Sequence, residues 1–426
     1  MQTAGVARHH YLCALVDGGG TVPPELGVVR LLVGRGHRVT VLCDETMASE
    51  VVDLGATFRP WQTAPSRATR RAEDDPIRDW ECRTPFSLFK RVMDRQLVGP
   101  AAAYAADVTA VIADDRPDAM LCSGFALGAA IGAEAARVPY AIMLPNVYLL
   151  PARGMPPMGL GLPPARGPLG RGRDQVIQQV NTVIMDTGAP RLNAVRAEYG
   201  LAPIRHFWDH LHQADRQLVM TSRAFDFPAE LPDSVRYVGA VLDDPAWVGD
   251  WHPPPGDEPL VLVGLSSTFQ DHVACLQRIA DALAVLPVRG LVTTGPAVDP
   301  ASVIAAPNVT VCASAPHSAV MARAAAVITH GGHGTVIKAL AAGVPLLVLA
   351  HGRDQADNAT RVRLRGAGRT ASRKASTATI RRHVQALLDD PTYRAAAERI
   401  GEVIRADASS GELARELELL PTLRRR

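Results

Sequence analysis

The stretch Ala325–Asn358, AAVITHGGHGTVIKALAAGVPLLVLAHGRDQADN, restricts the fold more than any other part of the chain. Ala325–Thr329 is apolar, ends in β-branched residues and has the length of a buried strand. It stops at His330 and a run of glycines. From Thr335 onward Val336, Leu340 and Ala341 recur at helical spacing, and Val344–Leu349 then reads as a second strand. Strand, glycine turn, helix and strand make a βαβ unit, whose parallel strands open their following loops on one edge of the sheet. Ligands of open α/β sheets bind at that carboxyl edge.

A helix start leaves its first backbone N–H groups unbonded, so the amides of Gly332–Thr335 form an anion site that needs no lysine. Gly331, Gly332 and Gly334 let the backbone approach a ligand and adopt positive φ. His330 can donate a ring N–H to the same oxygens and, once protonated, add positive charge. In the second loop Asp354 and Gln355 offer groups suited to sugar hydroxyls. The expected occupancy is phosphate in one loop and sugar in the next.

His330-Gly-Gly-His-Gly-Thr335, Gly343-Val-Pro345, Asp354-Gln355 and Asn358 together resemble the signature of bacterial members of the UDP-glycosyltransferase family. Such enzymes decorate natural products such as macrolides, glycopeptides and aromatic polyketides. The resemblance implies a GT-B fold, with two Rossmann-like, doubly wound α/β domains facing across a cleft. It further implies inverting transfer of a hexose or deoxyhexose from a dTDP- or UDP-sugar to a small-molecule acceptor. The nucleoside diphosphate sugar is then a co-substrate, with no metal and no other cofactor. The implied donor-binding residues are Ser267, Thr268, His317, His330, Gly332, His333, Gly334, Thr335, Asp354 and Gln355. Ser266–Thr268 would face the phosphates and Ala313–His317 the nucleotide base, where the family's aromatic residue is missing and the base is left open.

The family's first loop commonly reads Gly-His-x-x-Pro, its histidine deprotonating the acceptor with an aspartate as partner. Laid on this chain without gaps, the histidine falls on Thr21 and the aspartate on Ser123. A threonine hydroxyl is no base at neutral pH. Three alternatives stand: Asp17, four positions before Thr21, is the base; the acceptor is acidic, as a phenol is; or the chain is a catalytically silent homologue that binds nucleotide or a partner. The catalytic candidates are Asp17, Thr21 and Ser123, and Asp17 has the competing role of capping the helix or the turn.

The same alternation runs through the remaining sequence. Tyr11–Val16, a helix marked by Leu26, Val29, Leu32 and Val33, and the strand Arg38–Leu42 open a doubly wound sheet. Gly18 and Gly20 fit the dinucleotide fingerprint, but Pro23 stands where its third glycine belongs, which argues against a dehydrogenase. The expected domains are 1–238 for the acceptor, a linker over 239–259, 260–406 for the nucleotide sugar, and 407–426 as a helix packing back across the junction. Residues 60–100 are expected to form a mobile acceptor-side loop and a helix. Pro151–Pro164, rich in proline, glycine and methionine, reads as a lid or binding loop whose methionines line an apolar pocket. Asp114, Asp115 and Asp118 flank a strand's amino end and read as a solvated turn rather than a metal site.

With 426 residues, 47% hydrophobic and 21% charged, the chain is expected to form two or more soluble domains. A net charge of +2 gives no electrostatic case for nucleic acid or an anionic membrane. Six cysteines without CxxC pairing fit buried thiols in a reducing compartment. There is no leader pattern and no apolar run of about 18 residues, so a cytoplasmic protein without a transmembrane segment is expected. Oligomeric state is open, a homodimer included. The tail Arg424-Arg425-Arg426 is expected to be solvated.

Overall fold

The computed structural model describes residues 7–244, 248 and 251–423; the arginine tail and part of the expected linker lie outside them. Two parallel sheets organise the chain. The first contains His10–Ala14 (β1), Arg38–Cys43 (β2), Thr57–Pro60 (β3), Ala119–Ser123 (β4), Tyr140–Leu144 (β5), Arg216–Val219 (β6) and Val235–Tyr237 (β7). Its order is β3-β2-β1-β4-β5-β6-β7. The second contains Leu260–Gly264 (β8), Arg289–Thr293 (β9), Val309–Cys312 (β10), Ala324–Thr329 (β11), Leu346–Val348 (β12) and Gly368–Thr370 (β13), in the order β10-β9-β8-β11-β12-β13. Strand order reverses between β1 and β4, where Tyr11 faces Ala119, and between β8 and β11, where Leu262 faces Val327. At such reversals the connections leave on opposite faces and open a crevice at the carboxyl ends.

Parallel strands are covered on both faces, so alternate side chains enter different cores. In β1, Leu12 and Ala14 pack with the helices Ala101–Asp114 and Leu127–Ala135, whereas Tyr11 and Cys13 pack with Val22, Leu26 and Val29 of the helix Val22–Gly34. β8 divides likewise, Leu260 and Leu262 from Val261 and Val263. By length and composition alone the helical stretch Pro85–Asp114 could cross a membrane. It is broken by a π turn at Met93–Leu97, and Tyr104, Val108 and Ile112 of its second half are buried in the first core.

The two lobes are joined behind the crevice by a buried ion pair. Arg361 donates to Asp226 at 2.7 and 3.0 Å, and the other carboxylate oxygen of Asp226 accepts from the Tyr148 amide and the Tyr237 hydroxyl. The helix Glu412–Leu419 returns to the first sheet: Glu416 pairs with Arg216 and Arg236, and the Tyr11 hydroxyl donates to the Leu417 carbonyl at 2.9 Å. Pro151–Pro164 lacks regular elements but is strapped to the second lobe, with the Gly159 and Gly161 amides donating to the Asp357 carboxylate at 2.6 and 2.8 Å. Met155 is buried against Arg361 and lines a separate hollow beside Gln178 and Pro228, while neither it nor Met158 is among the residues lining the main cleft. The following helix runs over Gly167–Asp186.

Candidate active site

Loops after β1, β8, β11 and β12 converge on a cleft of ≈ 310 Å³ between the sheets. The lobes touch at its floor: a Cβ on Gly19 would lie 2.5 Å from Thr268 Cγ2, and Gly19 has φ +75°. Only glycine permits that approach. All ten residues expected at the donor site line this one cleft.

The helix His333–Ala341 starts from Gly332, and its ladder begins with the Val336 amide donating to the Gly332 carbonyl at 3.1 Å. The amides of His333, Gly334 and Thr335 precede that bond and are left for an anion. The His330 ring lies against Gly332, where a Cβ would come 2.7 Å from its Cε1. Burial, reinforced by nearby His351, His272 and Arg353, pushes the His330 pKa down to about 3. Of the two contributions foreseen for His330, that shift favours the neutral ring with its N–H over the protonated, charged form. His333 shares a 2.8 Å hydrogen bond between Nε2 and Thr221 Oγ1, tying the helix start to the first lobe, and burial lowers its pKa to about 4. His317, also lowered to about 4 by burial, shares a hydrogen bond with Thr293 Oγ1 at 3.0 Å.

Around the second loop the carboxylate of Asp354 accepts from Asn146 and Asn358, both at 2.7 Å. Gln355 is almost fully buried and fully engaged: its oxygen accepts from the His351 and Gly352 amides, and its nitrogen donates to Gln270 at 3.0 Å. Its place is in the loop's framework, while Asp354 keeps acceptor capacity toward the cleft. Arg353, held at φ +55°, donates to Thr268 and to Asp79 of the first lobe.

On the opposite wall Asp17 and Thr21 line the cleft, and Ser123 lies buried at the end of β4, outside it. Burial opposes the charge on Asp17, yet Arg70 at 2.8 Å, Thr46 at 2.7 Å and the Gly19 amide at 2.9 Å hold its carboxyl below the usual range. Such a carboxylate is ionised, fully bonded and a weak proton acceptor. Its bond to Gly19 two residues on is the turn-capping role anticipated beside the catalytic one. Asp115 pairs with Arg38, and Asp114 with Arg59. Among the described residues, no three His, Cys, Asp or Glu side chains form a group able to hold a metal.

Residues 291–420 match the C-terminal domain family of erythromycin biosynthesis protein CIII-like proteins. A 4'-demethylrebeccamycin synthase from Lentzea aerocolonigenes is 31% identical over 401 residues, covering 91% of this chain and 94% of that protein. The chain belongs to the natural-product glycosyltransferase family. An oleandomycin glycosyltransferase from Streptomyces antibioticus is 29% identical, covering 94% of this glycosyltransferase and 87% of its relative. A solved calicheamicin glycosyltransferase superposes with a TM-score of 0.75 at 24% identity, over 97% of this chain and 98% of its own, which shows the GT-B fold. None of these relatives supports the catalytically silent alternative.

Two features of the glycosyltransferase cleft, and one buried group outside its lining, escaped the sequence reading. Arg353 stood inside a loop already singled out, and its spacing gave no sign of positive φ. Arg67 and Arg70, both on the cleft wall, come from the irregular 60–100 segment, where no periodicity marks direction. Glu25 is fully buried on the first turn of Val22–Gly34. Its signal was present: a carboxylate on the apolar stripe of Val22, Leu26 and Val29.

Proposed function

We propose that this glycosyltransferase moves a hexose or deoxyhexose from a dTDP- or UDP-sugar to a hydroxyl of a small-molecule acceptor, with inversion and without a resident metal. One observation carries the reading: the open amides of His333–Thr335, with His330 beside them, face the Gly18–Thr21 loop across a single cleft. As the bond from the anomeric carbon to the diphosphate breaks, negative charge grows on the departing oxygens and positive charge on the sugar ring. The helix start, the His330 N–H and the Ser267–Thr268 loop are donors fixed where the negative charge develops. Asp354 orients sugar hydroxyls. The acceptor enters from the β1 side, opposite the diphosphate, so attack falls on the face away from the leaving group and inverts the carbon.

Among the described residues the six cysteines form no disulfide and four of them are buried, which supports a reducing cytoplasm as the site of action. Thermal-shift titration with UDP, dTDP and GDP, followed by transfer from the matching sugar donor to a panel of phenols and alcohols, tests the reading. Stabilisation by UDP or dTDP with transfer is expected; no stabilisation by any diphosphate overturns it.

A further inference from the structure

We propose that Thr21 and Glu25 form the proton path of the acceptor site, with Glu25 as the final proton acceptor and Ser123 bracing it. This rests on the glycosyl-transfer reading above. Thr21 occupies the N-cap of Val22–Gly34, a position where a threonine normally accepts from the second or third amide of the helix. Those positions are Pro23 and Pro24, which have no N–H. The hydroxyl is therefore released from capping, and its oxygen is buried without a hydrogen-bond partner. One turn on, where the Glu25 amide donates to the Thr21 carbonyl at 3.2 Å, both carboxyl oxygens of Glu25 are buried and likewise unbonded. Ser123 faces this carboxyl from β4, close enough to favour its ionised form, though neither group meets hydrogen-bond geometry.

Buried polar atoms are nearly always satisfied, so an unbonded set drawn from two elements beneath the cleft calls for a function. Of the three residues only Thr21 is among those lining the cleft, one turn from Glu25 at the start of the same helix, which makes its hydroxyl the relay between cleft and carboxyl in this path. Burial dominates the surroundings of Glu25; Ser123 opposes it, Asp17 and Asp44 add to it, the Cys13 thiol of β1 is close by, and no cation among the described residues offsets it, so its pKa rises to about 8. A carboxyl of that affinity is matched to accept a proton near neutral pH, which Asp17, held low by Arg70, is not. In the transfer step the acceptor oxygen bonds to the anomeric carbon while the carbon–diphosphate bond breaks and its electron pair leaves with the diphosphate. Thr21 and Glu25 are not bonded to each other, so the step needs the Thr21 side chain to turn between acceptor and carboxyl. The acceptor's proton then passes to the Thr21 oxygen as the Thr21 proton passes to Glu25, and the resulting carboxylic acid returns it to water after product leaves.

The test compares wild type, Glu25→Gln, Glu25→Asp and Thr21→Val with two probe acceptors, phenol and 4-nitrophenol, using the sugar donor whose diphosphate gives the larger thermal shift. Phenol, which ionises near ~10 as tyrosine does, needs a base, and nitrophenol, already largely ionised at pH 8, needs little. Transfer to phenol is expected to fall at least ~100-fold in Glu25→Gln and Thr21→Val, and transfer to nitrophenol much less. Wild-type kcat/KM with phenol should rise with pH through about 8, Glu25→Asp should keep that rise and Glu25→Gln should lose it. Equal losses for both phenols, or an unchanged pH profile in Glu25→Gln, overturns the path. Diphosphate shifts that match wild type show that each variant is folded. A wild-type chain that binds diphosphate but transfers to neither phenol overturns the enzymatic reading and the path together.

Discussion

Asn146, just past β5 of the first lobe, donates its amide to Asp354 of the second lobe at 2.7 Å. The carboxylate proposed to orient the sugar is thus aimed by the opposite lobe, the one proposed to hold the acceptor. A hydrogen bond to a charged group is worth about 1.5–3 kcal/mol. Asn146→Ala is therefore expected to lower kcat/KM for the sugar donor by roughly tenfold or more. The Kd for the bare diphosphate, measured by titration calorimetry, should stay unchanged, because Asp354 is placed on the sugar and not on the phosphates. An equal loss of diphosphate affinity would contradict that placement.

Gly332→Ala places a methyl group 2.7 Å from the His330 ring. The imidazole must swing out of its place beside the open amides while the strand and helix on either side keep their packing. The thermal shift produced by UDP or dTDP should fall by more than half, with the far-UV circular dichroism spectrum unchanged.

Five histidines, of which His210, His272 and His333 are buried and His317 and His330 partly buried, have pKa values pushed down by desolvation to about 4, and in His330 to about 3. In the unfolded chain each takes up a proton near pH 6.5, so between that pH and the folded values the unfolded state binds more protons. Stability is full above 6.5 and drains as pH falls, by about 1.4 kcal/mol per pH unit for each group in its window. Burial raises Glu25 to about 8 and Asp44 to about 6, which makes both carboxyls act in the opposite sense as pH rises, but the imidazoles outnumber them. Urea unfolding at pH 7, 6 and 5 should show a steep loss of stability. Glu25→Gln should stabilise the chain more at pH 8.5 than at pH 5.

Arg361 and Asp226 are buried at 3% and 0% side-chain exposure. Removing one partner of such a pair leaves an uncompensated charge, at about 3–5 kcal/mol. Arg361→Met should lower Tm by several degrees, and the double variant with Asp226→Asn should recover part of that loss. A double-mutant cycle in urea measures the coupling.

The part of the cleft proposed for the donor was largely legible because most of it is continuous in sequence: one βαβ unit supplies the open amides, His330 and Asp354. The opposite wall was not, because Arg67 and Arg70 reach it from a segment without periodicity. Glu25 was hidden by a general rule, since an acidic residue in a helix's first turn is ordinarily a favourable exposed charge. The titration state of His330 depends on burial by residues far along the chain, which no local pattern reports. β13 and β3, of three and four residues, were too short to register.

The helix Glu412–Leu419 lends Leu417 to the core on the outer side of the first sheet, where Leu420 joins it beside Tyr11 and Val238. The first lobe's packing is consequently completed by a segment that follows the second sheet in the chain, so truncation before Glu412 would open that core as well as the junction between the lobes.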